Sequence, residues 1–134
     1  MTGENQTGKE GFFLDTYAMI EYLRGNRKYL GLMTSEGRRA TSIMNLVELY
    51  YLVLRERGEE SAADSALTAF GQFETHVIAE DIRKGIKLRL SARARKVDFS
   101  YADAIGHAIS GRLALRYLTG DDAFKGLPNV EFVK

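Results

Sequence analysis

The chain has 134 residues, with 19 basic and 18 acidic side chains, so its formal net charge is only +1. Its length suits one domain, and a composition of 45% hydrophobic and 28% charged residues is typical of a globular protein. The absence of cysteine excludes disulfides, thiol nucleophiles and thiolate zinc sites, and the two histidines form no HExxH motif. Since no apolar run is long enough for a bilayer span, we expect a cytoplasmic protein without a membrane partner.

The segment Met1–Gly11 is polar and aperiodic, which predicts a flexible leader before a single domain at 12–134. Beyond it, short apolar runs alternate with stretches whose apolar residues recur at helical spacing. This alternation predicts a parallel sheet with helices on both faces, which is the α/β class. The predicted strands are Phe12–Leu14, Arg39–Thr41, His76–Ile78, Ala114–Thr119 and Val130–Val133, and the predicted helices are Tyr17–Leu23, Arg27–Met33, Ile43–Arg57, Glu59–Phe73, Glu80–Lys96 and Tyr101–Arg112.

The helix at Glu80–Lys96 combines an apolar stripe with a long run of bases. The stripe of Ile82, Ile86 and Leu90 predicts the face that packs on the core. The run Arg83–Lys96 holds seven bases and no acid. Two interpretations stay open: a solvated face that complements the helix dipole, or a surface that grips a phosphate backbone.

Four carboxylates stand among apolar residues. Asp15, Glu48 and Asp103 are each the only charge in a core-forming segment, and Asp121 follows a predicted strand. A buried carboxylate is costly unless it is protonated, paired with a cation or bound to a metal. Because the carboxyl ends of parallel strands line one crevice, we expect the four to converge there. Such an all-oxygen site suits Mg²⁺ or Mn²⁺ and indicates phosphodiester cleavage.

A simpler interpretation makes these acids helix caps and turn residues. Asp15 or Asp121 alone would fit it, because aspartate is common where a strand turns into a helix. Glu48 does not fit, since a glutamate inside an apolar helix has no capping role. Thr16 and Ser100 can also cap helices, and that role can coexist with support of a metal or substrate.

Four segments of this chain, taken in order, resemble the PIN-domain family and most closely its small VapC-like members, the toxins of prokaryotic toxin–antitoxin pairs. The resemblance runs from residue 12 to residue 134. It implies a three-layer α/β/α, Rossmann-like fold with a mostly parallel central sheet, a Mg²⁺ or Mn²⁺ cofactor, single-stranded RNA as substrate, a homodimer and a small antitoxin partner. The matching segments are Phe13-Leu14-Asp15-Thr16, Ser42 with Asn45-Leu46-Val47-Glu48-Leu49, Asp103-Ala104-Ile105, and Leu118-Thr119-Gly120-Asp121 with Phe124.

The resemblance also assigns roles to individual positions. Thr16 and Thr119 match supporting hydroxyl positions, and we add Ser100 as a supporting residue because it precedes the helix of Asp103. The chain departs from the family at Gly106-His107, where small apolar residues are usual. The positions that match the catalytic, metal-binding quartet are Asp15, Glu48, Asp103 and Asp121.

Two interpretations stay open for several residues near the four acids. Asp122 lies beside the fourth acid, although the spacing Thr-x-Asp-x-x-Phe favours Asp121. His107 follows Asp103 by one helical turn and either reaches the site or is structural, and we treat His76 as structural. The pair Tyr50-Tyr51 suits the core or a dimer interface better than base stacking.

These observations give one main hypothesis: a hydrolytic endoribonuclease with one or two divalent ions that cleaves single-stranded RNA as the toxin of a toxin–antitoxin pair. One alternative is a non-catalytic PIN module that binds RNA or a protein. Another is an RNA-processing nuclease unrelated to toxicity. A receiver-type phosphoacceptor domain of similar size fits poorly, because it needs paired acids after the first strand and a late lysine.

Overall fold

The fold is given by a computed structural model that describes residues 11–134, so the predicted leader lies outside the described residues except for Gly11. Within this range, none of the helices combines the length and apolar composition that crossing a bilayer requires. The strands are β1 (Phe12–Leu14), β2 (Arg39–Ala40), β3 (Arg116–Thr119) and β4 (Val130–Phe132), and the helices are α1 (Thr16–Leu23), α2 (Arg27–Thr34), α3 (Ile43–Arg57), α4 (Glu60–Gly71), α5 (Ala79–Ala94) and α6 (Tyr101–Arg112), with a short 3₁₀ helix at Asp122–Phe124.

The four strands form one parallel sheet in the order β2-β1-β3-β4. Side chains alternate between its faces: Leu14 and Leu118 pack against α1 to α4, whereas Phe13 and Tyr117 pack against α5 and α6. Helices therefore cover both faces, which confirms the predicted α/β class and its three layers. The chain leaves β1 for β2 on one side and later returns to β3 on the other, so the strand order reverses between β1 and β3.

The predicted strand at His76–Ile78 is wrong. This part of the chain touches the sheet only through an isolated parallel bridge between Thr41 and Glu74. Further on, the Ile78 N–H donates to the Asp81 carboxylate at 2.9 Å. The apolar run at 76–78 therefore leads into α5, because the side chain of Asp81 takes the backbone donor that a strand would have offered to the sheet.

Helix α5 also turns a different face to the core from the predicted one. Ile82 and Leu90 are 48% and 65% exposed, whereas Asp81 and Gly85 are buried. A Cβ added at Gly85 would lie 2.9 Å from the Cα of Ile105 on α6. The two helices thus approach at a distance that only a small residue allows, and this close contact leaves the larger isoleucine and leucine side chains outside.

An ion pair between a buried carboxylate and a partly exposed guanidinium joins the start of α5 to the end of α6. Arg112 donates from Nε to Oδ1 of Asp81 and from Nη2 to Oδ2, both at 2.9 Å. The Asp81 residue is only 1% exposed. Burial raises the pKa of Asp81, but hydrogen bonds from Arg112 and the Ile78 N–H outweigh it and hold that pKa below its usual range. The pair therefore holds in place the helix that carries Asp103.

Replacing Arg112 tests this pair. Arg112→Met should lower the free energy of unfolding by about 3 kcal/mol at pH 7, because the buried Asp81 carboxylate loses its cation. Urea titration followed by circular dichroism measures the loss. Arg116→Met is the matched control: its pair with Glu131 is exposed and should be worth less than ~1 kcal/mol. Equal losses in the two variants would contradict the role given to the buried pair.

Candidate functional site

The predicted acidic residues lie at the carboxyl ends of the two central strands. Asp15 follows β1 directly, Asp121 follows β3 after one intervening residue, Asp103 lies in the first turn of α6, and Glu48 projects from α3. Their charges act on one another: Asp103 and Asp121 raise the pKa of Asp15, and Asp121 and Glu48 raise that of Asp103. The structure therefore brings all four carboxylates to the switch point between β1 and β3.

Three of these acids also stabilise helix N-termini. Asp15 accepts the Ala18 N–H at 2.8 Å and caps α1. Asp103 accepts the Ser100 N–H at 3.2 Å, while the Ser100 hydroxyl accepts the Asp103 N–H at 3.0 Å. Asp121 accepts the N–H two residues further on at 3.0 Å. The capping interpretation is therefore correct for local structure, but each of these backbone bonds occupies only one oxygen of its carboxylate.

Glu48 is oriented by a chain of polar side chains. The Thr16 hydroxyl donates to Glu48 Oε1 at 2.7 Å and accepts from Nδ2 of Asn45 at 3.2 Å. Asn45 in turn accepts from the Ser42 hydroxyl at 2.7 Å. Asp15 is the N-cap of α1, so Thr16 does not cap that helix. Its hydroxyl instead links the start of α1 to α3 at the candidate site.

Burial is the main electrostatic feature of the site. Asp15 is 2% exposed, and burial raises its pKa to about 8, although the Thr119 hydroxyl and the Ala18 N–H lower it. Burial likewise raises the pKa of Asp103 to about 6, against hydrogen bonds with Ser100 that lower it. The groups that act most strongly on these two carboxyls include no lysine or arginine. The site therefore gathers carboxyl groups whose ionisation is opposed by burial and by one another.

Tyr117 is a site neighbour that sequence reasoning missed. It is fully buried on β3, with its ring centroid 4.4 Å from that of Phe124 and 5.5 Å from that of Phe13. Burial, followed by the charges of the four carboxylates, raises the pKa of its hydroxyl well above the usual value. Among the described residues this hydroxyl has no hydrogen-bond partner. A tyrosine in a central strand, two residues before Thr119, was the available signal.

The departures from the family pattern have structural explanations. A Cβ at Gly106 would lie 2.8 Å from Phe13 and 3.2 Å from Tyr117, so glycine makes room for both rings. His107 lies 3.0 Å from the Pro128 carbonyl through Nε2 and packs on Phe124, which favours its structural interpretation.

The structure also distinguishes Asp121 from the neighbouring Asp122. The Asp122 carboxylate pairs with Lys134 at 3.0 Å and is exposed, which leaves Asp121 as the acid that acts on the cluster. The Thr119 hydroxyl accepts the Asp121 N–H at 3.0 Å. Thr119 thus fixes the backbone from which the Asp121 carboxylate projects.

The donor set fits a hard divalent cation. Within residues 11–134, no three Asp, Glu or His side chains already surround one point closely enough to hold an ion. Mg²⁺ keeps several of its waters and is bound by only one or two carboxylates directly, so such closure is not required. All four side chains offer oxygen, and the groups that shift the pKa values of Asp15 and Asp103 most include no lysine or arginine. The residues present therefore fit a hard divalent cation.

A doubly covered parallel sheet with an acidic cluster at its switch point defines the class of protein. The PIN-domain family model matches residues 12–130, and the chain belongs to the PIN-domain family. No curated protein matches it at the level of sequence.

Solved structures share the fold. A toxin–antitoxin complex from Klebsiella pneumoniae is 21% identical with a TM-score of 0.70, and the match covers 91% of this chain and 96% of that chain. VapBC2 from Rickettsia felis, bound to a promoter DNA fragment, has 19% identity, a TM-score of 0.70 and the same coverages of 91% and 96%. The Mycobacterium tuberculosis toxin VapC20, which cleaves the sarcin–ricin loop, has 22% identity, a TM-score of 0.67 and coverages of 90% and 99%. At these identities the likeness shows the fold alone.

Asp15 makes the stability of the metal-free protein depend on pH. The folded state holds a proton on Asp15 up to pH of about 8, while the unfolded carboxyl ionises near 3.8. Stability should therefore be highest below that lower value and fall as pH rises toward 8, by at most ~1.4 kcal/mol per pH unit from this group.

Urea titrations in EDTA at several pH values measure this dependence. Asp15→Asn should flatten the profile while keeping the cap, because asparagine also offers an oxygen to the Ala18 N–H. Asp122→Asn, at an exposed position, should leave the profile unchanged. If the stability of the wild type and of Asp15→Asn changed with pH in the same way, the burial of Asp15 would not be the cause of the pH dependence.

Two tyrosine variants should shift stability in opposite directions. Tyr117→Phe should raise the free energy of unfolding of the metal-free protein by about 1 kcal/mol, because it removes an unsatisfied buried hydroxyl. Tyr29→Phe should lower it by a similar amount, since the Tyr29 hydroxyl donates to the Val133 carbonyl at 2.5 Å. Thermal denaturation in EDTA compares the two, and a loss in both variants would contradict an unpartnered Tyr117 hydroxyl.

Proposed function

We propose that this protein is a metal-dependent endoribonuclease that cleaves single-stranded RNA, and that it acts as the toxin of a toxin–antitoxin pair. One observation carries the proposal: the nearly inaccessible Asp15 lies within range of the charges of Asp103 and Asp121, which add to burial in raising its pKa. Negative charge concentrated in this way at a switch point suits a cation that binds phosphate oxygens. Membership of the PIN-domain family supports the same assignment.

In this proposal the four carboxylates hold Mg²⁺ or Mn²⁺, and the other polar residues position them. When bound, the divalent ion supplies charge for the phosphodiester oxygens and makes water acidic enough to attack at neutral pH. Thr16 orients Glu48, Ser100 fixes the first turn of the helix that carries Asp103, and Thr119 fixes the backbone at Asp121. No nucleophile from the protein takes part.

The solved structures that share the fold support an antitoxin partner, and an exposed surface of α3 supports a homodimer. Because the Klebsiella and Rickettsia structures are of toxin–antitoxin assemblies, we infer a small antitoxin protein for this chain. Co-purification with the product of the adjacent reading frame tests that inference.

A homodimer is supported by an apolar stripe on α3, where Ile43, Val47 and Tyr51 are 48%, 63% and 59% exposed at four-residue spacing. Light scattering on the purified chain measures its mass.

A non-catalytic PIN module remains the second candidate, because the capping bonds of Asp15, Asp103 and Asp121 give these residues a purely structural use. The two functions differ in one measurable respect. A nuclease needs the free oxygens of these carboxylates, whereas a cap needs only one oxygen, which asparagine retains.

Cleavage assays distinguish a nuclease from a non-catalytic module. The wild type should cleave a fluorogenic single-stranded RNA in Mg²⁺ or Mn²⁺, and EDTA should abolish the activity. Asp15→Asn and Asp103→Asn should lower kcat/KM at least ~100-fold without loss of stability, because they remove charge from the cation site. The same variants should lose the rise in Tm that Mn²⁺ gives the wild type.

Asp122→Asn is the matched control, since it removes an adjacent exposed carboxylate and should leave kcat/KM within about twofold of the wild type. Full activity of the double variant Asp15→Asn/Asp103→Asn would refute the proposal. Cleavage that persists in EDTA would refute its metal dependence.

A further inference from the structure

A basic cleft lies where α5 ends and the chain turns toward α6. It has a volume of about 300 Å³ and is lined by Arg89, Arg93, Lys96, Val97 and Asp98. The single acid in this lining, Asp98, has a side chain that is 82% exposed. Three bases against one acid give the lining a formal charge of +2. The cleft therefore suits an anionic group.

The bases of α5 fall into two groups, which distinguishes the two interpretations left open by the sequence. Arg83 and Lys84, at the start of the helix, lie 3.2 and 3.7 Å from the Glu80 carboxylate. Around the cleft, Arg89 lies 4.0 Å from the Asp98 carboxylate, whereas no acid in residues 11–134 lies within ion-pair distance of Arg93 or Lys96. The start of the helix thus fits a solvated face, whereas its end presents uncompensated charge.

Lys96 occupies a backbone conformation that favours glycine. Its φ is 63°, and the following Val97 N–H donates to the Ala92 carbonyl at 2.9 Å, which closes the helix. A lysine at this left-handed position costs stability that glycine would not cost.

An aromatic platform adjoins the cleft and leads to the candidate active site. The Tyr101 ring is 57% exposed, and the Arg89 guanidinium carbon lies 4.4 Å from its centroid. Arg89 is held in place because it also donates to the Phe99 carbonyl. Tyr101 is the first residue of α6, two residues before Asp103. An exposed aromatic ring thus adjoins the cleft on the helix that also carries Asp103.

We propose that the cleft and this platform form a binding subsite for single-stranded RNA, with a phosphate between Arg93 and Lys96 and a base stacked on Tyr101. This inference rests on the proposed function, because it extends a strand whose scissile phosphate lies at the acidic cluster. Phosphate contacts supply affinity, and a base adds stacking on an aromatic ring beside arginine. Neither contact depends on the sequence of the strand.

Charge removal at the start of α5 and around its end tests the phosphate contact. In EDTA, which stops cleavage, fluorescence anisotropy of a labelled single-stranded RNA gives Kd over a range of salt concentrations. Arg93→Gln/Lys96→Gln should weaken binding at least about tenfold and lower the slope of log K against log salt by about 1 to 2. The control Arg83→Gln/Lys84→Gln removes the same charge and should weaken binding less than about threefold. Equal effects would overturn the subsite.

Two further variants distinguish binding from a structural role. Lys96→Gly should raise Tm, by relieving the left-handed conformation, and yet lower RNA affinity. Tyr101→Ala should weaken binding about tenfold and abolish quenching of a 2-aminopurine in the strand, while Tyr101→Phe retains both. Unchanged affinity in Lys96→Gly and Tyr101→Ala would overturn the inference.

Failure of the subsite and failure of the proposed function give different results. If the wild type cleaves RNA in Mg²⁺ but the cleft variants keep its Kd and kcat/KM, only the subsite is wrong. If the wild type neither binds nor cleaves RNA, the proposed function is wrong as well. Variants that keep RNA affinity but lose a protein partner would assign the cleft to that partner and overturn the inference.

Discussion

Capping bonds at the carboxyl edge of the sheet are the constraint on which the site depends. A parallel sheet directs the ends of its strands to one edge, and the helices that follow begin there with unpaired N–H groups. Asp15 and Asp121 satisfy such groups directly, and Asp103 does so from the first turn of α6. Each cap fixes the rotamer of its carboxylate. The bonds that begin the helices thus also hold the negative charges close together.

This arrangement concentrates charge at the expense of stability. Asp15 is buried without a cation, and the Tyr117 hydroxyl beside the cluster lacks a partner among the described residues. Elsewhere the described part of the chain satisfies comparable groups: Asp81 has Arg112, and the Tyr29 hydroxyl has the Val133 carbonyl. A buried carboxyl and a buried hydroxyl left unpaired side by side are typical of sites retained for function.

Much of the architecture was predictable because it depends on local signals. Ser42 and Ser100 mark the starts of α3 and α6, where their hydroxyls accept the backbone N–H three residues on. The alternation of strands and helices then implied a parallel sheet. The position of each acid within apolar sequence indicated that the acids meet at one end of that sheet. These inferences need only periodicity, caps and topology.

The errors arose where tertiary contacts decide between local alternatives. The run His76–Ile78 has the composition of a strand, but Asp81 takes its last backbone donor. The isoleucines of α5 have the spacing of a core stripe, but Gly85 allows the closer approach to α6. Tyr117 escaped notice because only the folded chain shows that its hydroxyl lacks a partner.

The outer strands have a consequence for how copies of this chain meet. The edge strand β2 has two residues, Arg39–Ala40, and the opposite edge β4 has three, Val130–Phe132. Edges this short present too few free N–H and C=O groups to recruit a strand from another molecule. Association through a continuous intermolecular sheet is therefore disfavoured, and assembly is left to the outward surfaces of the helices, where side-chain chemistry can select the partner.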